Sequence, residues 1–287
     1  MNPPIIALLP AAGMGQRLSP FPCPKELFPV GFQETEVGGR KEKRPKVICQ
    51  YSLEQMQMAG VRRVVVIVGP KKHDLLSFLG DGTRFGMSFS YLFQEERRGM
   101  PYALDLAYPW CRDHTVLFGM PDTILDPPDA LAQIVGTHER SGADLTLAAF
   151  PTTTPHLFGM LCLDDDDRVR KTIDKPKATD LAYLWGAGCW SPRFSDFLHQ
   201  TLRSWGRRGS EIVFGDVINA AIEVGCEIRA HVFPRGRYID IGTTRGLQEA
   251  LASYALHTGP EDAASRADGS SEQGNFLLDS LLSEAAG

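Results

Sequence analysis

The chain lacks the patterns that mark a metal-scaffolded, membrane-bound or nucleic-acid-binding protein. Its six cysteines, at positions 23, 49, 111, 162, 189 and 226, include no C-x-x-C pair. That spacing gives neither a thiolate zinc site nor a disulfide framework, and a reducing, cytoplasmic setting is expected. The seven histidines are dispersed and form no ligand-like pair. No apolar run approaches the roughly 18 residues of a spanning helix, and no N-terminal stretch has the form of a signal peptide. No membrane contact is therefore expected. Positive charge is also in short supply, with 30 Lys and Arg against 35 Asp and Glu and a net charge of −5. A general nucleic-acid binder would carry a basic surface, so no nucleic-acid partner is expected. The one basic cluster, GGRKEKRPK at Gly38–Lys46, reads as a solvated loop. No internal repeat is visible.

What is present is a long, well-stocked core. The 287 residues are 43% hydrophobic, enough for one large α/β domain or two small ones. Strands are expected at Ile5–Leu9, Arg63–Val68, Ser88–Phe93, Thr115–Phe118 and Leu145–Phe150. Helical patterns lie between them, at Val47–Ala59, His73–Leu79, Pro101–Tyr108 and Pro128–Ser141. Such alternation implies crossovers and a mainly parallel sheet. After residue 150 strands are expected at Gly159–Leu163, Val169–Ile173, Tyr183–Trp190 and Glu227–Phe233. Helices are expected at Phe194–Ser204, Ile212–Val224 and Arg245–Leu256. The four aspartates 164–167 invite a metal, but turns favour aspartate and a solvent-facing hairpin turn is the simpler reading. Residues 258–287 read as a flexible tail rich in Gly, Ser, Asp, Ala and Glu, with a short amphipathic helix at Phe276–Leu282.

The stretch richest in chemical content is LPAAGMGQRLSPFPCPKELFPV, Leu9–Val30. A buried strand empties into Ala11-Ala12-Gly13-Met14-Gly15, followed by cations at Arg17 and Lys25. Glycines let a backbone approach a ligand closely, and their amides can point at phosphate oxygens. Two fixed cations just downstream suit a triphosphate. A dinucleotide loop needs a third glycine where this chain has Leu18, and no G-x-x-x-x-G-K-[ST] string follows a strand. A plain strand–turn would explain the glycines but not the cations.

Together with motifs further along the chain, the segment resembles the sugar-phosphate nucleotidylyltransferases, whose signature is G-x-G-[TS]-R-L-x-P, a spacer, P-K and L-x-P-V. Gly13, Gly15, Arg17, Leu18, Pro20, Pro24, Lys25, Leu27, Pro29 and Val30 occur here in that order. The chain is similar to glucose-1-phosphate thymidylyl- and uridylyltransferases, and the resemblance runs from about Ile5 to Leu251. Gln16 replaces the usual Thr or Ser, and the spacer from Arg17 to Lys25 is shorter. Two aspartates then resemble magnesium ligands. Asp122, in Met120-Pro121-Asp122-Thr123, stands where relatives have L-G-D-[ND] after a strand. Asp240, in Tyr238-Ile239-Asp240-Ile241-Gly242-Thr243, matches [WY]-x-D-[IT]-G-T. Read without the family, Asp122 would start a turn and Asp240 would cap a helix.

Gln94 and Gly99 keep the family's Q-x-x-x-x-G spacing, in which the amide reads the base and the glycine leaves room for it. An amide is both donor and acceptor, which suits uracil or thymine. Phe158-Gly159-Met160 and Ile173-Asp174-Lys175-Pro176 resemble the [YF]-G-V and E-[EK]-K-P segments. Gly159 and Asp174 thereby resemble sugar-hydroxyl contacts, Lys175 a sugar-phosphate contact, and Gly186 a further part of the sugar pocket. Glu211 and Asp216 resemble an acidic segment of mainly structural role.

The resemblance implies a GT-A-like, Rossmann-like α/β fold, with a mixed, mostly parallel sheet flanked by helices and a smaller sugar-binding β region. One nucleotidylyltransferase domain is expected over residues 1–257, its nucleotide half at about 1–150 and its sugar half at about 151–257. The chain shows no glycine-spaced hexapeptide repeat near its end, so the β-helix domain of some relatives is not expected. The implied reaction joins an NTP, UTP or dTTP by preference, to a sugar 1-phosphate with release of pyrophosphate. Arg17, Lys25 and Lys175 would neutralise phosphate charge, and Mg2+ would sit on Asp122 and Asp240. Ala11, Ala12, Gly13, Gly15, Gln94 and Gly99 would hold the nucleotide. A homo-oligomer is left open. The alternatives are a GT-A glycosyltransferase, whose D-x-D motif Pro121-Asp122-Thr123 lacks, and a degenerate nucleotide-sugar-binding regulator.

Overall fold

The computed structural model describes residues 3–96, 98–206 and 211–254. The tail and the short helix expected at 276–282 lie outside the described residues. The described chain forms two compact units, one drawn from 3–28 and 47–250 and one from 29–46 and 251–254.

The larger unit is built on a nine-stranded sheet. Its centre is β1 (Ile5–Ala11), paired in parallel with β4 (Arg63–Val68) on one side and with β6 (Thr115–Phe118) on the other. Beyond β4 lies β5 (Ser88–Phe93), also parallel. Beyond β6 the sheet turns antiparallel. β11 (Tyr183–Trp190) pairs with β6, with β8 (Leu145–Pro151) and with β9 (Gly159–Leu163). β10 (Val169–Asp174) closes the edge against β9, and β12 (Ile228–Val232) runs parallel to β8.

The apolar runs are continuous because both sheet faces are covered. Alternate residues serve opposite cores. Ile6, Leu8, Val65 and Ile67 face one, with α3 (Met100–Asp105), α6 (Pro192–Trp205) and α7 (Phe214–Glu223). Ala7, Leu9, Val64 and Val66 face the other, with α1 (Ile48–Met58), α2 (His73–Leu79) and α5 (Ala130–Ser141). The local sequence explains the helix starts. Ser191 accepts a bond from the Phe194 amide, and Pro192 needs no amide partner in the first turn. The expected helix at Pro101–Tyr108 divides into α3 and α4 (Tyr108–Cys111), since Pro109 supplies no amide for a continuous ladder.

A second, two-stranded sheet joins β7 (Thr123–Asp126) to β13 (Arg237–Asp240), antiparallel. α8 (Thr244–Tyr254) follows β13. Asp164–Asp167 form the β9–β10 turn. Asp164 Oδ1 there accepts bonds from the Asp166 and Arg168 amides at 3.0 and 2.9 Å.

The smaller unit contains a hairpin of β2 (Pro29–Val37) and β3 (Arg40–Val47). This corrects the reading of Gly38–Lys46 as a loop: only Gly38-Gly39 turns, and the basic residues stand on an exposed strand. Ladder hydrogen bonds and contacts such as Lys43 over Phe32, 5.4 Å to the ring centroid, hold a strand there without apolar alternation.

Candidate active site

The carboxyl ends of β1, β4, β5 and β6 lie on one side of the sheet, where open α/β folds bind ligands. From β1 the chain passes through Ala12 and Gly13 to Gly15, whose φ of +63° is a left-handed conformation suited to glycine. A short 3-10 turn, Gln16–Leu18, carries Arg17, and a second, Lys25–Leu27, carries Lys25. The Lys25 side chain runs along the glycine loop. A Cβ on Gly15 would lie 3.7 Å from Lys25 Cδ, and one on Gly13 would lie 3.9 Å from Lys25 Nζ. The loop and the cation expected from the sequence are thus adjacent.

The two aspartates also meet, by way of β7 and β13. Asp240 pairs with Thr123, and the Ile241 amide donates to the Asp122 carbonyl at 3.1 Å. Lys25 Nζ donates to Asp122 Oδ2, and Arg17 Nη2 lies 3.4 Å from Asp240 Oδ2. The Gly242 amide donates to Asp240 Oδ1 at 2.7 Å. A Cβ on Gly242 would stand 2.8 Å from both Arg17 Nη2 and Asp240 Oδ1, and 3.4 Å from Asp122 Oδ2. Glycine at this position leaves room for these groups to converge.

The site is electrostatically tense. Burial, and then the neighbouring Asp122 charge, push the Asp240 carboxyl above its ordinary value. Burial alone would lower the Lys25 ammonium, but Asp122 beside it, with smaller contributions from Glu26 and Asp240, holds it above the usual lysine value. A buried carboxylate and a partly exposed one side by side are the hard oxygen donors that magnesium takes, usually one or two with substrate phosphates and water. Asp240 Oδ1 and Asp122 Oδ2 both lie close to the Gly242 Cβ position, so the pair fits a divalent cation.

A cavity of 710 Å³ opens beside this cluster, lined among others by Ala12, Gly13, Lys25, Gln94, Gly99, Met120 and Asp122. Gln94 is buried, and its backbone amide donates to the Val68 carbonyl at 2.8 Å. Gly99 has φ +95°, and a Cβ there would lie 2.5 Å from the Ile212 carbonyl oxygen. Its glycine character therefore also has a packing reason. Glu211 lines the same cavity, whereas Asp216 accepts a bond from the Val213 amide at the start of α7.

The residues expected to contact sugar stand apart from that cavity. Gly159 and Asp174 are cross-strand partners on β9 and β10. Lys175 follows at φ +43°, its amide bonded to the Phe158 carbonyl and its ammonium 3.9 Å from Asp174. Two of the glycines make room for aromatic side chains: a Cβ on Gly159 would meet Trp185 Nε1 at 2.6 Å, and one on Gly186 would run into the Tyr238 ring.

Sequence reasoning missed two further groups. Arg98 and Tyr102 line the cavity, with the guanidinium 3.8 Å from the Tyr102 ring centroid. Glu26 is 1% exposed and paired with Lys72. Glu26 stood beside a motif lysine, but nothing in the string PKKH marked Lys72 as buried.

The model of the nucleotidyl transferase family matches residues 6–256. The chain belongs to the nucleotidyl transferase family. Relatives within the family include the low-salt glycan biosynthesis nucleotidyltransferase of Haloferax volcanii, 29% identical over 85% of this chain and 64% of that protein. This chain therefore spans less than two thirds of that relative. A glucose-1-phosphate thymidylyltransferase of Streptomyces antibioticus is 28% identical over 95% of this chain and 71% of its own. A UTP–glucose-1-phosphate uridylyltransferase of Staphylococcus haemolyticus is 24% identical over 87% and 92%. In fold, the chain matches a Bacillus anthracis protein described as a glucose-1-phosphate thymidylyltransferase and solved in complex with a sucrose. The TM-score is 0.76 at 20% identity, covering 91% of this chain and 99% of the other. A UDP-glucose pyrophosphorylase complexed with UDP-glucose matches with TM-score 0.71 at 20% identity, over 88% and 98%. Among the described residues of this nucleotidyl transferase family member, no helix is long and apolar enough to cross a membrane.

Proposed function

We propose that this protein joins a nucleoside triphosphate, UTP or dTTP by preference, to a sugar 1-phosphate, releasing pyrophosphate and an NDP-sugar. The observation that carries this reading is the convergence of Asp122, Asp240 and Arg17 on Gly242, with Lys25 bonded to Asp122, beside a cavity lined by Gln94. The names of the relatives, thymidylyl- and uridylyltransferases acting on glucose 1-phosphate, support the substrate class.

A phosphate oxygen of the sugar 1-phosphate attacks the α-phosphorus in line. The new P–O bond forms as the bond to the β-phosphate oxygen breaks, and pyrophosphate leaves with that electron pair. The protein's part is positioning and charge neutralisation. Arg17 faces the leaving pyrophosphate, Lys25 the α-phosphate, and Lys175 the attacking phosphate. Backbone amides of Ala11, Ala12, Gly13 and Gly15 cradle the triphosphate. Gln94 and Gly99 receive the base; Gly159, Asp174 and Gly186 border the sugar. Asp122 and Asp240 would hold Mg2+, which when bound supplies Lewis-acid polarisation of the phosphates. Three cysteines, Cys49, Cys111 and Cys189, are buried as free thiols, which supports a reducing, cytoplasmic place of action.

The test is a matrix of NTPs against sugar 1-phosphates, read by pyrophosphate release. Release that depends on both partners supports the proposal. No release from any pair, or sugar transfer from a ready-made NDP-sugar, overturns it.

A further inference from the structure

Lys25 and Glu26 are consecutive in one 3-10 turn, and both are largely withdrawn from water. The Lys25 ammonium therefore has Glu26 on its own turn, and Asp122 and Asp240 across the site, within its electrostatic reach. It is bonded to Asp122. Lys72 Nζ donates to both Glu26 oxygens, at 2.8 and 2.7 Å, with side chains 5% and 1% exposed.

Lys72 is the residue before α2, in the loop that leaves β4. The preceding residue, Lys71, has φ +66°, a conformation that costs a non-glycine residue energy. The same loop is pressed onto the nucleotide loop: a Cβ on Gly69 would stand 2.9 Å from the Ala12 carbonyl oxygen. A buried ion pair is weak evidence of stability, since apolar residues of similar volume often do as well or better. Breaking such a pair from one side, however, leaves a buried charge that seeks another partner. The other cation that acts on Glu26 is Lys25.

We propose that Lys72 is a positioning residue: by occupying both oxygens of Glu26 it keeps the Lys25 ammonium on the Asp122 side, aimed at the incoming triphosphate. Lys72 does not itself line the cavity. The inference rests on reading Lys25 as a phosphate-binding cation, but its test needs no turnover.

The steering predicts an asymmetry. Lys72→Met and Glu26→Gln both break the same pair, and a purely structural pair would make them alike in ligand affinity. Steering makes them differ. Burial already pushes the Glu26 carboxyl above its ordinary value, so Lys72→Met leaves Lys25 as the remaining cation that can hold it ionised, whereas Glu26→Gln removes the competitor. The probe is inorganic tripolyphosphate with Mg2+, titrated calorimetrically into the whole chain, so that base and sugar play no part. Lys72→Met is expected to weaken binding at least about tenfold, the order expected when a buried charge loses its partner. Glu26→Gln and the double variant Glu26→Gln/Lys72→Met should stay within about threefold of the unaltered protein. Lys72→Arg, which keeps the ion pair, should also bind normally. Should Lys72→Met fail to fold, Lys72→Gln tests the same point, because an amide leaves the Glu26 charge uncompensated.

Equal affinities for the two single variants, whether both lowered or both normal, overturn the proposal. So does a double variant no better than Lys72→Met. Failure of the unaltered chain to bind tripolyphosphate removes Lys25 from phosphate binding and the inference with it. The reading of the overall reaction falls by a different result, the absence of pyrophosphate release, which leaves the binding asymmetry measurable.

Discussion

Asp240 faces Thr123 across the β7–β13 ladder, and this pairing sets its carboxylate beside that of Asp122. The two residues are far apart in sequence and belong to different segments of the fold. Four-residue strands hold them, so the site depends on the short second sheet as much as on the large one.

Asp122→Asn or Asp240→Asn should lower turnover at least about a hundredfold, as the loss of a catalytic charge contact costs roughly 3 kcal/mol. Circular dichroism should show the fold retained. Near-normal pyrophosphate release by both variants would remove these residues from the metal-binding role.

Stability should follow the raised Asp240 carboxyl. A group whose folded pKa lies above its unfolded value binds more protons in the native state across the interval between the two. Stability therefore falls as pH rises through that interval, starting from the ordinary carboxylate range. Asp240→Asn should flatten this decline and melt higher than the unaltered protein at neutral pH, while losing activity. Thermal melts from acid to neutral pH test it; parallel profiles for the two proteins would refute it.

The cations should divide between substrates. Lys175→Ala should raise the KM for sugar 1-phosphate, whereas Arg17→Ala and Lys25→Ala should impair use of the NTP. Steady-state kinetics with each substrate varied in turn decide this. A Lys175→Ala variant altered only in its NTP parameters would show that lysine to be misassigned.

Gly159→Ala should destabilise by about 1–3 kcal/mol, the usual cost of overpacking, because the new methyl would meet the Trp185 indole nitrogen. Trp185→Leu in the same chain should recover part of the loss in chemical denaturation. If Trp185→Leu recovers nothing, the indole is not what requires glycine there.

Base choice should favour UTP or dTTP. The Gln94 amide can pair with the O4 and N3–H edge of uracil or thymine, one bond accepted and one donated. A site built to bond one edge rejects its mismatch because buried polar groups are left unpaired. Efficiency highest with CTP or GTP would displace Gln94 from base reading and leave nucleotidyl transfer standing.

The parts of this fold that the sequence made legible are those where both sheet faces are buried. β4, β5, β6, β9 and β11 lie where their apolar runs predicted, since a continuous run such as Val64–Val68 has few other ways to bury itself. β7 was not legible: four residues directly after a strand and a turn read as part of the turn. β3 was hidden for the opposite reason, since RKEKRPK offers charge where strand readings look for apolar alternation. The nucleotide loop and its lysine could be read as one motif because they are local. The Lys72–Glu26 pair could not, because burial of a lysine is decided by tertiary packing alone.

β1 is an inner strand of the sheet, flanked by β4 and β6, both of which follow it in the chain. During synthesis, one of its edges has no partner until residues 115–118 have emerged from the ribosome. A nascent chain shorter than that presents an apolar ribbon with an open side, the form most prone to mispairing. The loop at the end of β1, at the centre of the candidate site, is thus translated well before the strand that anchors it. Length-dependent protease sensitivity of ribosome-bound chains around residue 118 would time that anchoring.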